Sequence, residues 1–126
     1  MECFVYGTLT DRETAATVLD SFEYRESATL SGLERVDGEY PTLAPGESVT
    51  GRILETDEVA ALDRYEGVDR DLYVRLSVPL ETGGFVETYV GDPEALDAPA
   101  EWPGDGSFEE RVRAHLDENE VLVRAE

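Results

Sequence analysis

The stretch Phe4-Val5-Tyr6-Gly7-Thr8-Leu9-Thr10 (FVYGTLT) sits almost at the start of the chain and sets the reading of the rest. Residues 2–6 form an apolar run with the length and content of a buried strand. The run stops at Gly7. Thr10-Asp11-Arg12-Glu13 then matches a capping box, with Thr10 as N-cap and Glu13 three positions on, which predicts a helix to about Asp20. A strand that breaks at a glycine and turns into a helix leaves the N–H groups of Gly7, Thr8, Leu9 and the first helical turn without intrahelical partners. With the helix dipole they form a receptor for a small anion, and a glycine lets a ligand approach the backbone. A junction that simply needs a glycine to turn accounts for the same residues, and both accounts stand at this level.

Outward from this junction, Phe22 to Val36 reads as one strand, and Tyr40 to Leu43 as a short edge strand, since Pro41 cannot donate to a ladder. Pro45-Gly46 reads as a breaker. Ser48 to Glu55 alternates as a strand should. Asp57 is placed to cap a short helix through Leu62 and Tyr65, and Gly67 to end it in a left-handed conformation. Leu72–Leu80 and Phe85–Val90 flank Thr82-Gly83-Gly84 and predict a hairpin. Residues 92–106 form a long loop that reads as a lid or as cover for a sheet edge. Ser107–Glu110 is a second capping box, opening a helix through Val112 and Leu116, and Val121–Val123 reads as a last strand. Strands and short helices mix without regular alternation, so the expectation is one α+β domain over residues 1–126, a curved mixed sheet with helices packed around it.

Composition narrows the function classes. Thirty acidic residues face ten basic ones, a net charge of −20, and every basic residue is arginine. Such a surface repels nucleic acid and anionic membranes, so neither is expected as a partner. The acids are spread evenly along the chain, which points to a protein that works in high salt and to a halophilic archaeal source. No basic region followed by an apolar stretch opens the chain, so a cytoplasmic location is expected. The one cysteine, Cys3, lies in the first apolar run and reads as a small buried hydrophobe.

Two further features carry chemistry. In Leu62-Asp63-Arg64-Tyr65-Glu66-Gly67, Glu66 falls at the C-terminal end of the predicted helix. The dipole there disfavours a carboxylate, and partial burial beside Tyr65 adds to it; both raise the pKa and make a better general base near neutral pH. In a chain with thirty acids, an exposed surface charge is the plainer account of any one of them. Tyr73 and Tyr89 lie on the two hairpin strands and are placed to share one sheet face. A buried hydroxyl needs a partner, which a ligand or the protein itself can supply.

These residues, in this order, resemble the γ-glutamylcyclotransferase-like superfamily, in its small branch that includes the plant avirulence-induced proteins. The resemblance runs through FVYGTL, YPTLAPG, VTGRILETDEVAALDRYEGV, LYVRLSVPL and VETYV, and weakens after Asp92. It implies a small mixed barrel-like sheet surrounded by short helices, and cyclisation of a γ-glutamyl group to 5-oxoproline with release of an amine or amino acid. By position it implies that Tyr6, Gly7, Thr8 and Leu9 hold the substrate's α-carboxylate, that Glu66 in Asp-x-x-Glu-Gly is the catalytic acid/base, and that Tyr73 and Tyr89 contact the ligand. Many relatives carry serine and asparagine after the tyrosine-glycine; here Thr8 and Leu9 stand there, so the leaving-group side is expected to differ.

The chemistry expected is proton transfer on a small γ-glutamyl substrate, with no metal and no cofactor, in keeping with a sequence that has no cysteine–histidine cluster and no phosphate-binding glycine pattern. Two rivals remain. One is a non-catalytic protein that binds a small carboxylate in the same pocket. The other is an interaction domain using the 92–106 loop, in which Gly7 and Glu66 lie far apart.

Overall fold

The structure is a computed structural model and describes residues 1–125. Strand β1 (Glu2–Val5) is followed by a 3-10 turn (Thr8–Thr10) and helix α1 (Arg12–Val18). Two long strands come next, β2 (Glu23–Asp37) and β3 (Pro41–Glu55), then α2 (Val59–Glu66) and a second 3-10 turn (Val68–Arg70). The hairpin β4 (Tyr73–Pro79) and β5 (Phe85–Gly91) leads to a short α3 (Pro93–Leu96), α4 (Phe108–Glu118) and β6 (Leu122–Ala125). The sheet order is β4-β5-β1-β3-β2-β6. All neighbours are antiparallel except β1 and β5, whose parallel contact centres on Cys3 and Glu87. Past the end of β4, Leu80 bridges Val123 of β6, and the Glu81 N–H donates to the Val123 carbonyl at 2.9 Å. The two sheet edges therefore curl toward each other. The result is the expected α+β fold, a curled mixed half-barrel with short helices around it.

The apolar run at the N-terminus makes sense in this setting. β1 is buried on both faces, so it needs no polar alternation. Phe4 points into one core cluster, with Leu30, Ile53, Leu76 and Val123. Cys3 and Val5 point the other way, into a second cluster with Leu9, Leu54 and Leu62 beneath α1 and α2. Burial among these apolar groups pushes the Cys3 thiol up to about 12, so it behaves as a small hydrophobe.

Several local expectations change. Thr10 does not cap α1; its hydroxyl donates to the Gly7 carbonyl at 2.6 Å, and Asp11 is the N-cap, accepting from the Thr14 N–H at 3.1 Å. Asp57 does not cap α2. Glu58 holds the N-cap position without a side-chain cap, and its carboxylate accepts from the N–H groups of Asp20 and Ser21 at 3.1 and 2.7 Å. The segments Tyr40–Leu43 and Ser48–Glu55 are not separate strands. Between Leu33↔Pro45 and Ser31↔Ser48, one extra residue on β3 is taken up as a bulge, so the chain bends through Pro45-Gly46 and stays paired. Pro41 is tolerated as the first residue of this long strand, where its missing N–H costs no ladder bond.

Other expectations hold. Gly67 ends α2 at φ 73°, ψ 35°, a conformation open to glycine at little cost. Ser107 and Glu110 close the reciprocal capping box of α4. The segment 92–106 is not an open lid: Asp92 caps α3, Leu96 and Trp102 are buried, and the Leu96 carbonyl accepts from the Glu39 N–H at 2.8 Å.

Candidate active site

Where β1 ends, a cavity of about 510 Å³ opens between the Gly7 loop, the C-terminus of α2, the start of β4 and α3. Tyr6, Gly7, Thr8, Leu9, Glu66, Tyr73 and Tyr89 all line it, so the structure brings the seven residues singled out in the sequence around one space. Gly7 and Glu66 are not far apart, contrary to what the interaction-domain reading requires.

The Gly7 loop is held by its carbonyls. Tyr6 accepts from Arg35 Nη1 at 2.9 Å, Gly7 from the Thr10 N–H at 3.1 Å and from its hydroxyl at 2.6 Å, and Thr8 from the Asp11 N–H at 3.2 Å. Leu9 accepts from the Tyr24 hydroxyl at 2.5 Å and Thr10 from Arg52 Nη1 at 3.3 Å, with the Arg52 guanidinium stacked 3.7 Å above the Tyr24 ring. Every carbonyl from Tyr6 to Thr10 is thus occupied. The N–H groups of Gly7, Thr8 and Leu9 donate to no partner among the described residues. With their carbonyls occupied and their N–H groups free beside the cavity, these donors suit an anion that enters it. The first turn of α1 does not join them as the sequence suggested: Arg12, Glu13 and Thr14 do not line the cavity, and Asp11 takes the Thr14 N–H. Gly7 contributes room. A Cβ built there would meet only Pro41, at 3.5 and 3.7 Å, so protein packing does not forbid a side chain.

Glu66 is the last residue of α2. Leu62, one turn earlier, is fully buried, and Gly67 reverses the chain, so the carboxyl is left half-buried at the cavity wall. Burial pushes its pKa up from 4.5 to about 7. Burial holds the Tyr6 and Tyr73 hydroxyls neutral, and the Glu66 charge acts in the same direction as a smaller cause.

The tyrosines are tied into the protein. Tyr6 donates to the Tyr89 carbonyl at 2.5 Å, and Tyr73 donates to the Pro41 carbonyl. Tyr89 donates to Asp63 Oδ1 at 2.7 Å, and Asp63 in turn pairs with Arg75 at 3.5 Å. Tyr73 and Tyr89 do share a sheet face, since Tyr73 pairs opposite Gly91, two residues along β5 from Tyr89. Gly91 makes this possible: a Cβ there would lie 2.3 Å from Leu96 and 2.9 Å from the Tyr73 ring. The rings face the cavity while their hydroxyls brace its walls.

Sequence reading missed the mouth of the cavity. Tyr40, Tyr65 and Arg70 line it together with Leu72, Pro41 and Leu96. Tyr65 is exposed, and its hydroxyl shares a 2.7 Å hydrogen bond with the Thr8 hydroxyl, tying α2 to the Gly7 loop. No motif marks Arg70; it reaches the cavity because the 3-10 turn after Gly67 carries it back. Among the described residues no group of three His, Cys, Asp or Glu side chains gathers as a metal ion would need.

Known proteins place this arrangement in a family. The family model for gamma-glutamyl cyclotransferase, AIG2-like proteins matches residues 3–110. An Arabidopsis thaliana protein of known solution structure is 31% identical, with a TM-score of 0.57, over 93% of this chain and 83% of that one. A solved gamma-glutamyl cyclotransferase shares 14% identity at a TM-score of 0.57, over 94% of this chain and 99% of its own. An uncharacterized protein from Homo sapiens shares 15% at a TM-score of 0.62, over 90% and 96%. These last two likenesses speak to fold alone. No curated protein matches. With most of its length and its whole cavity inside the matched region, the chain belongs to the gamma-glutamyl cyclotransferase, AIG2-like family.

Proposed function

We propose that this chain is a γ-glutamyl cyclotransferase-type enzyme, which closes a γ-glutamyl group to 5-oxoproline and releases the attached amine. The observation that carries this reading is the pairing, in one cavity, of a half-buried carboxyl whose pKa is pushed to about 7 with a loop of unpartnered amide donors. In this reading the N–H groups of Gly7, Thr8 and Leu9 hold the substrate's α-carboxylate with neutral dipoles, which suits a chain of net charge −20. Holding that end makes attack of the α-amine on the γ-carbonyl intramolecular and aligned. The ionised Glu66 takes a proton from the attacking nitrogen as the new C–N bond forms. It returns that proton to the departing nitrogen as the old amide bond breaks. No water is consumed. A group half ionised near neutral pH can both accept and donate, as the cycle requires. The acid excess supports a high-salt setting for this activity.

The test is 5-oxoproline release from γ-glutamyl peptides and amines in molar salt, for wild type and Glu66→Gln. Turnover in the wild type, rising through one ionisation near pH 7 and lost by about a hundredfold or more in the variant, is expected. Undiminished turnover in Glu66→Gln removes Glu66 as the proton carrier. Substrate binding without turnover in the wild type replaces the enzyme with a carboxylate-binding protein that uses the same cavity.

A further inference from the structure

We infer that Arg70 selects substrates whose departing amine carries its own carboxylate beside an apolar or aromatic side chain; this rests on the cyclotransferase reading of the cavity. Arg70 stands on the 3-10 turn just past the Glu66–Gly67 end of α2. Its guanidinium folds back over that end: a Cβ built on Gly67 would lie 3.0 Å from Nη2. It lines the cavity, on the far side of Glu66 in sequence from the loop amides. It makes no ion pair and no side-chain hydrogen bond among the described residues, although acids outnumber arginines three to one in this chain. Five of the other arginines, Arg25, Arg35, Arg75, Arg113 and Arg124, have carboxylate partners. Arg12 and Arg52 stack on aromatic rings, and Arg52 and Arg111 donate to backbone carbonyls. Arg64 shares the lack of a partner among the described residues but does not line the cavity. A guanidinium left unpaired at a cavity mouth, in so acidic a surface, is suited to a carboxylate that arrives with the ligand, and its planar fork matches that group in two parallel bonds.

The neighbours of Arg70 supply the rest of the selection. Of the three large apolar side chains that the fold leaves exposed, Tyr40, Tyr65 and Phe85, two stand at this mouth. Leu72 and Pro41 lie beside them. Two aromatic rings and two apolar side chains thus line the same cavity as a cation, and an amino acid with an apolar side chain presents the complementary pair of groups. Glu39 also lines the cavity and would favour a cationic leaving group. One acid among thirty carries less information than the unpaired arginine.

The pair of substrates that isolates the idea is γ-glutamyl-phenylalanine and γ-glutamyl-phenethylamine, which differ only in the carboxylate of the leaving group. Binding by calorimetry and 5-oxoproline release are both measured, for wild type and Arg70→Gln, with thermal melting to confirm folding. In the wild type the carboxylate-bearing compound is preferred about tenfold, and in Arg70→Gln the ratio falls to about one. Higher salt weakens the wild-type preference, because the pair sits at an exposed mouth. Turnover of both compounds with no preference, or a preference that survives in Arg70→Gln, overturns the inference and leaves the cyclotransferase reading standing. An Arg70-dependent binding preference without 5-oxoproline overturns the cyclotransferase reading and keeps the carboxylate subsite. Failure of both compounds to bind overturns both.

Discussion

Replacing Glu66 by glutamine should stabilise the protein, and by an amount that depends on pH. The carboxyl titrates at 4.5 in the unfolded chain and is pushed to about 7 in the folded one by burial. The folded state therefore holds this proton more tightly. Its contribution to stability is complete below pH 4.5, declines as pH rises, and is lost once pH passes about 7. At about 1.4 kcal/mol per pH unit, the displacement corresponds to at most about 3 kcal/mol, less some relief because the carboxyl is only half-buried. Glutamine has the same shape and no charge to desolvate. The variant should match the wild type near pH 4 and exceed it by roughly 2–3 kcal/mol at pH 8.5, which for a domain of this size is roughly 10 °C in Tm. All other acids are common to both proteins, so the difference between them isolates Glu66. The assay is denaturant unfolding at constant high salt across pH 4–9. A difference that stays flat across that range would mean that Glu66 ionises freely in the folded state, and with it would go the argument for a proton carrier near neutral pH. The sign matters as well: a structural carboxylate gives the opposite slope, and a gain in stability on loss of activity is the signature of a group held in an unfavourable place for its chemistry.

Three further outcomes follow from packing and charge. Gly91→Ala forces a methyl group to within 2.3 Å of Leu96 and 2.9 Å of the Tyr73 ring, so it should cost about 1–3 kcal/mol in unfolding experiments and weaken ligand binding by displacing a cavity wall. Tyr89→Phe removes the hydroxyl bound to Asp63, so it should cost about 1–2 kcal/mol in stability; if its larger effect is on KM, the hydroxyl serves a ligand and not the wall. With a net charge of −20, Tm should climb steadily from 0.1 M to about 2 M sodium chloride as repulsion between acids is screened, and a flat or falling Tm would show that this repulsion is unimportant to the fold.

Much of the architecture was legible in local pattern. The buried run before Gly7, the hairpin around Gly83-Gly84, the left-handed stop at Gly67 and the Ser107 box are each decided by a few adjacent residues. The local expectations that changed did so where another residue competed for the same role. Thr10 and Asp57 had the right chemistry to cap helices, but Asp11 capped α1, and Glu58, at the N-cap of α2, was drawn across to the backbone of Asp20 and Ser21. Pro45-Gly46 looked like the end of a strand, yet β3 runs on from Pro41 to Glu55 and pairs with β2 on both sides of a bulge. At α1 the competitor was the next residue along; at Glu58 and at Pro45-Gly46 a partner distant in sequence outweighed a local preference of about 1 kcal/mol.

The sequence by itself determined that a glycine junction, a carboxyl at a helix end and two hairpin tyrosines exist, because turns, caps and alternation are encoded within a few residues of one another. Only the tertiary structure decided that these lie around one cavity. It also decided that the carbonyls of the Gly7 loop are spoken for while its amides are not, that the tyrosine hydroxyls brace walls, and that Arg70 stands unpaired at the mouth. Those facts depend on contacts such as Arg35 with Tyr6, Tyr24 with Leu9 and Tyr89 with Asp63, made between segments that only the curl of the sheet brings together. Burial raises the pKa of Glu66 for the same reason: desolvation is a property of what surrounds a group in space, and no neighbour in the chain supplies it.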